Sequence, residues 1–258
     1  MHNIVFFEDK YIPNTFSVFT EAYLKNKYND LNFFKLSDNI SQIEASLKLQ
    51  NFINTFPENS IFIFLINLKF SSDNTFLIFK QKDNKYIIMP NNGFIGYLDN
   101  VDLNNTEIYK VKKEFFTDFA ALWKTIILII ERIYNNKLTD ICVKTNEYKR
   151  LKISSPQIQI NSFSSNILFF KESGAAVYNL KKDDFYEKLK NFSSFKIIII
   201  EKLVEIEKIS DFPMEEDFGA PYAIFNDYGF LEVGLVNSNF KITFSLDSTS
   251  IAKINFYD

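Results

Sequence analysis

Glu8 and Asp9 follow directly on the apolar run Asn3 to Phe7. A pair of carboxylates there stands at the carboxyl end of what reads as a first parallel strand. Open α/β sheets bind their ligands along that edge. A carboxylate in this place can accept from ligand hydroxyls, or serve as a base where burial raises its pKa. Asp118, closing the stretch Glu114-Phe115-Phe116-Thr117-Asp118, is a third carboxylate that could be drawn in. The alternative for Asp9 is a solvated loop side chain. A second polar group is Asn226-Asp227-Tyr228-Gly229, set between the apolar runs Ala223 to Phe225 and Phe230 to Val236. Asn, Asp and Gly are turn formers, so the stretch reads as strand, tight turn, strand. Asn226 and Asp227 then lie at the rim of a sheet, facing a ligand or forming an ordinary hairpin tip. Other chemistries have no residues to carry them. The chain has no HExxH, no Cys/His cluster, no GxSxG and no P-loop, and its single histidine is His2.

The elements that must position these groups alternate in the first half. Phe16 to Tyr28 has helical spacing, with Phe16, Phe19, Tyr23 and Leu24 on one side. Leu31 to Leu36 reads as strand and Ser41 to Phe56 as an amphipathic helix. Ser60 to Leu68 is a continuous apolar run, expected for a central strand covered on both faces. Thr75 to Phe79 and Tyr86 to Met89 are strands around a polar turn, and the second runs into Pro90-Asn91-Asn92-Gly93. Glu107 to Val111 is a further strand and Phe119 to Tyr134 a buried helix. Thr139 to Pro156 is polar and reads as the passage between domains. Beyond it, short strands with turns at close intervals, among them Lys241 to Leu246, predict a small β-barrel or sandwich. The expected fold is an α/β N-terminal domain over residues 1–150, its central sheet mostly parallel and flanked by helices. An all-β barrel domain over residues 157–258 follows.

Composition narrows the function classes. The 258 residues are 47% hydrophobic and 24% charged, with a net charge of -3 and no basic arm or patch. Nucleic acid is therefore not an expected partner. One cysteine, Cys142, excludes an internal disulfide and fits a reducing compartment. The N-terminus has no signal-peptide pattern, and the longest apolar run, Ala120 to Ile130, is broken by Lys124 and too short to span a bilayer. A cytoplasmic protein without a membrane partner is expected.

Several stretches carry a resemblance. FNDYGFLEVGL is similar to an NSxGxLEIA segment, FPENSIFIF to FPPGTIFVV, PNNG to PDNG, and FFKESGAAVYNL to VDRFGNLITNI. These are segments of the S-adenosylmethionine hydroxide adenosyltransferases, a family that includes related halogenating enzymes. The resemblance implies an α/β domain followed by a β-barrel, a homotrimer, and S-adenosylmethionine as substrate or ligand with no cofactor. The implied reaction is hydrolysis to adenosine and methionine. It implies Asp9 as a ribose ligand, with Asn14 in place of a second acidic residue. Asn67, Asn91, Asn92, Asn179, Asn226, Asp227 and Tyr228 would line the ligand. The family's Asp-Arg-His set is replaced. Asn67 stands for the Asp, Asn74 and Thr75 fall where the Arg belongs, and no histidine occupies the segment ending at Asp118. Lys171 and Ala175 replace an Asp and an Asn that would hold the ligand's amino group and adenine. Asp9, Asn67 and Asp118 remain as catalytic candidates. A weak or inactive adenosyl-binding member is therefore expected, or else a catalytically dead trimeric scaffold that binds another protein.

Overall fold

The computed structural model describes residues 2–9, 12, 15–36, 40–68, 75–98, 105–115, 121–199 and 204–258. The chain divides into two compact units, Met1–Lys152 and Ile153–Asp258.

In the first unit the strands are β1 (His2–Glu8), β2 (Leu31–Lys35), β3 (Ile61–Leu65), β4 (Phe76–Lys80), β5 (Tyr86–Pro90), β6 (Glu107–Val111) and β7 (Cys142–Lys144). The helices are α1 (Thr15–Lys27), α2 (Gln42–Phe52) and α3 (Leu122–Tyr134). Among the described residues the strands form one sheet in the order β2-β1-β3-β5-β4-β6-β7. The first three pairings, β2–β1, β1–β3 and β3–β5, are parallel. The remaining three, β5–β4, β4–β6 and β6–β7, are antiparallel. The sheet is thus mixed, which corrects the expectation of a mostly parallel one. The physical reason is the short turn from Gln81 to Lys85, closed by the Gln81 amide donating to the Lys85 carbonyl at 2.9 Å. So short a link permits only a hairpin, because a parallel neighbour needs a crossover of a dozen residues or more.

Alternation along β1 sorts its side chains onto the two faces of the sheet. Ile4 and Phe6 join one core with Leu24 of α1 and Ile126, Ile129 and Ile130 of α3. Val5 and Phe7 join a second core with Ala45 and Leu49 of α2. All five residues of β3 are buried, as a strand covered on both faces must be. On α1 the buried face is Phe16, Ser17, Thr20 and Leu24, while Phe19 and Tyr23 are exposed. Thr20 can turn inward because its Oγ1 donates to the Phe16 carbonyl at 2.8 Å, which satisfies the hydroxyl. The segment from Thr139 to Pro156 is also more than a passage. It contains β7, and Leu151 docks through its amide on the Gly93 carbonyl at 2.9 Å.

Cys142 is buried in β7, and burial pushes its thiol up to about 12. The thiolate is the reactive form. At pH 8 the folded protein is expected to give no colour with a disulfide reagent over minutes, and one equivalent after denaturation. Immediate reaction of the native protein would contradict this burial.

The second unit holds β8 (Gln157–Gln159), β9 (Ser162–Phe170), β10 (Ala176–Lys181), α4 (Lys182–Leu189), β11 (Ser194–Ile199), β12 (Val204–Ile206), β13 (Pro221–Phe225), β14 (Phe230–Leu235), α5 (Phe240–Thr243) and β15 (Ile251–Tyr257). Its antiparallel sheet runs β12-β11-β15-β9-β10-β14-β13, with β8 pairing β9. The end strands approach each other, since the Ser210 amide donates to the Ala223 carbonyl at 2.9 Å. The sheet is therefore nearly closed, like a barrel. Phe163, Tyr178, Leu180, Phe185, Ile197 and Phe256 are among the residues filling it. Lys241 to Leu246, expected as strand, instead continues α5 into a turn. Asn239 caps that helix by accepting from the Ile242 amide at 2.9 Å, and Phe240 anchors it in the core. Among the described residues no helix is long and apolar enough to cross a membrane.

Candidate functional site

Parallel β1, β3 and β5 end side by side, and the residues leaving them meet. The Asn67 backbone amide donates to Asp9 Oδ2 at 2.7 Å. Asn67 takes φ 52°, a left-handed conformation that asparagine tolerates better than most residues. Asn92 Nδ2 donates to the Ile66 carbonyl at 3.0 Å and to the Asn67 carbonyl at 3.3 Å, and its Oδ1 accepts from the Phe94 amide at 3.2 Å. Asn92 therefore clamps the end of β5 to the end of β3. Asn91 is buried, and its Oδ1 accepts from the Lys149 amide at 2.8 Å, so it holds the chain rather than a ligand. Glu8 is buried on β1 beside Lys35, with Nζ 3.3 Å from Oε2.

Gln42 joins this group and was not among the residues expected there. It opens α2, directly after the N-cap Ser41, whose Oγ accepts from the Glu44 amide at 3.1 Å. Asn67 Nδ2 donates to Gln42 Oε1 at 3.3 Å. Gln42 Nε2 is sealed from water and has no hydrogen-bond partner. The only sequence signal for it was its place at the start of a helix whose preceding strand lies next to β1.

Other expected residues fall elsewhere. Asn14 and Asp118 lie outside the described residues, as does Asn74. Thr75 is buried, and its Oγ1 donates to the Val111 carbonyl at 2.7 Å, tying the start of β4 to β6.

In the second unit the turn between β13 and β14 is built on Asn226. Its Oδ1 accepts from the Tyr228 amide at 3.1 Å and the Phe230 amide at 3.2 Å. Its Nδ2 donates to Glu232 Oε2 at 3.3 Å. Glu232 is buried, and three donors meet on it. Lys171 Nζ lies 3.2 and 3.1 Å from its two oxygens, and Tyr222 donates from its hydroxyl at 3.2 Å. Burial, and then the neighbouring Glu232 carboxylate, push the Tyr222 phenol well above its ordinary range. Lys171 is thus the counter-charge of a buried carboxylate. Asp227 and Tyr228 lie at the tip of the same turn.

Asn179, on β10, has its amide fully engaged. Oδ1 accepts from Ser165 Oγ at 2.7 Å and from the Asn166 amide at 2.8 Å, while Nδ2 donates to the Ser154 carbonyl at 2.7 Å. It fastens the entry of the second unit to β9 and β10.

The chemistry this allows is recognition. The group at Asp9, Asn67, Asn92 and Gln42 offers one carboxylate and several amides, suited to hydroxyls and polar edges. An amide is neither protonated nor deprotonated near neutral pH, so Asn67 cannot serve as a base. Among the described residues no group of three or more His, Cys, Asp and Glu is placed to hold a metal.

Residues 8–122 match the family model of the SAM hydroxide adenosyltransferase N-terminal domain. Over those residues the chain is similar to this family. The matched region contains Asp9, Gln42, Asn67 and Asn92, so the polar group just described lies wholly inside it. No curated protein matches the chain. Among solved structures it is similar to an uncharacterized conserved protein from Thermotoga maritima, at 14% identity and a TM-score of 0.72, covering 99% of this chain and 100% of that one. A conserved hypothetical protein from Thermus thermophilus is similar at 12% identity and a TM-score of 0.71, with coverage of 99% and 100%. At such identities the likeness is one of fold.

Proposed function

We propose that this protein binds an adenosyl ligand, adenosine or S-adenosylmethionine, without hydrolysing it at an appreciable rate. The observation that carries the reading is the convergence of Asp9, Asn67 and Asn92 at the carboxyl ends of β1, β3 and β5, within residues that match the adenosyltransferase domain. Asp9 would take the ribose hydroxyls. Hydrolysis would require water to attack the ribose C5′ and expel methionine, with a group that accepts the water's proton. Where the resemblance implies that group, the chain has Asn67, and Thr75 is committed to a backbone carbonyl. A homotrimer in the cytoplasm belongs to the same reading, and sedimentation equilibrium would weigh three copies.

Two measurements test it. Calorimetric titration with adenosine and with S-adenosylmethionine is expected to give saturable binding. Overnight incubation with S-adenosylmethionine, followed by chromatography, is expected to yield adenosine and methionine no faster than buffer alone. Absence of heat with both ligands would end the binding claim. Repeated turnover to both products would end the claim of inactivity.

A second reading, a scaffold for another protein, has one observation in its favour. Phe212, Met214 and Phe218 are exposed within one short stretch before β13. Large apolar groups held in water together mark contact surfaces more often than chance does.

A further inference from the structure

The two ends of the second unit's sheet leave a seam. β12 and β13 are its end strands, and among the described residues they form no ladder with each other. The Ser210 amide crosses the seam to the Ala223 carbonyl, and both residues line a cavity of about 260 Å³ there. Glu205, Glu207 and Glu216 are also among its walls. Ser210 and Glu216 flank the loop from Asp211 to Glu215. Ser210 Oγ donates to Glu216 Oε1 at 2.7 Å, and Lys208 Nζ donates to the same oxygen at 3.2 Å. The loop is thus tied at its base, while large apolar side chains on it and just after it stand in water. Phe212 is 69%, Met214 73% and Phe218 80% exposed. Folding gains nothing from apolar groups held outside the core, and a group of them marks a contact surface.

Charge decides what covers them. From Glu205 to Phe218 the chain carries six carboxylates and one lysine. Lys196 of β11 reaches Glu205 at 2.9 Å and Glu207 at 2.8 Å, and the face still keeps a negative excess. We propose that this face binds another protein through an extended segment in which lysine or arginine alternates with large apolar side chains. Alternation puts the cations of such a segment on one side and its apolar groups on the other. The cations meet the carboxylates of the seam, and the apolar groups cover Phe212, Met214 and Phe218. Other occupants fit less well. Nucleic acid and an anionic membrane surface are repelled by the same carboxylates. A second copy presenting this face to its own likeness brings like charges together. A small molecule leaves side chains as exposed as these uncovered. This docking rests on the scaffold reading above and is independent of adenosyl binding.

The test is fluorescence anisotropy on the full chain with three short labelled synthetic peptides. One alternates lysine with leucine, one lysine with serine, and one glutamate with leucine. The lysine–leucine peptide is expected to bind saturably, and the other two about tenfold or more weakly. Two variants locate the contact. One is the triple Phe212→Ser, Met214→Ser and Phe218→Ser, and the other the double Glu205→Gln and Glu207→Gln. Each changes exposed side chains, and circular dichroism checks that each still folds. Each is expected to bind the lysine–leucine peptide about tenfold more weakly. Equal affinity of the unaltered protein and both variants would overturn the inference. So would lysine–serine binding as tight as lysine–leucine, which would reduce the effect to bulk charge, and so would absence of saturable lysine–leucine binding. Tighter binding of the glutamate–leucine peptide would overturn the basic partner and leave a scaffold for a partner of other chemistry. A triple variant that sediments as a smaller assembly than the unaltered protein would assign the face to contacts between copies. The scaffold reading and the inference would then fall together.

Discussion

Replacing Lys171 with methionine is expected to destabilise the second unit by about 2 kcal/mol. The Glu232 side chain is 2% exposed and the Lys171 side chain 43% exposed. The cost falls on the buried partner. With Lys171 removed, the carboxylate keeps only Tyr222 and Asn226, two neutral donors, in a place water does not reach. Breaking a fully buried pair by removing one member costs roughly 3–5 kcal/mol, and the solvent around the lysine ammonium reduces that figure. The double variant Lys171→Met with Glu232→Gln should regain most of the loss, because a neutral amide needs no counter-charge. Urea unfolding measures this, and the chain helps to separate the units. Its only tryptophan, Trp123, lies on α3 and reports the first unit. Circular dichroism then carries the second. A single variant that melts with the unaltered protein, or a double variant worse than the single, would refute the account.

The parts of this fold that could be read from sequence are those where one local rule acts alone. β3 is a continuous apolar run, and it is buried along its whole length. The turn before Phe230 combines Asn226 with Gly229, and the structure closes it with the Gly229 amide donating to the Asn226 carbonyl at 2.8 Å. Reading failed where a distant partner decides the outcome. Thr20 lies inside and Phe19 outside because a hydroxyl can bond its own helix, which hydropathy does not register. The antiparallel pairing of β4 with β5 follows from the length of the turn between them rather than from apolar pattern. The same holds for the site. Asp9 was marked by its place at a strand end. Whether an asparagine amide faces a ligand or the protein depends on where its bonds go, and no spacing records that. Asn91, Asn179 and Asn226 looked equivalent to Asn92 in sequence, yet each holds its own chain together. Gln42, which reaches the Asn67 side chain, had no motif around it.

Gly96→Ala is expected to cost about 3 kcal/mol, and to do so by loosening the polar edge from behind. A Cβ built at Gly96 would stand 1.8 Å from the Leu151 carbonyl oxygen and 2.7 Å from its nitrogen. These are backbone atoms and cannot rotate aside. The segment from Lys149 to Leu151 must therefore retreat, and two bonds go with it. One is the Leu151 amide to the Gly93 carbonyl, and the other the Lys149 amide to Asn91 Oδ1. Both hold the turn from which Asn92 reaches across to Ile66 and Asn67. Gly93→Ala is a useful contrast. Its Cβ would meet Leu151 Cγ at 2.5 Å, a side-chain atom, and its φ of 95° adds strain that an alanine resists. Trimming Leu151 to alanine should therefore relieve part of the Gly93→Ala penalty and none of the Gly96→Ala penalty. Denaturation midpoints of the four variants, followed by Trp123 emission, make the comparison. Equal relief at both positions would mean that the strap is held by its side chain and not by its backbone. The proposed link from Leu151 through the Pro90–Gly93 turn to Asn92 would then be wrong.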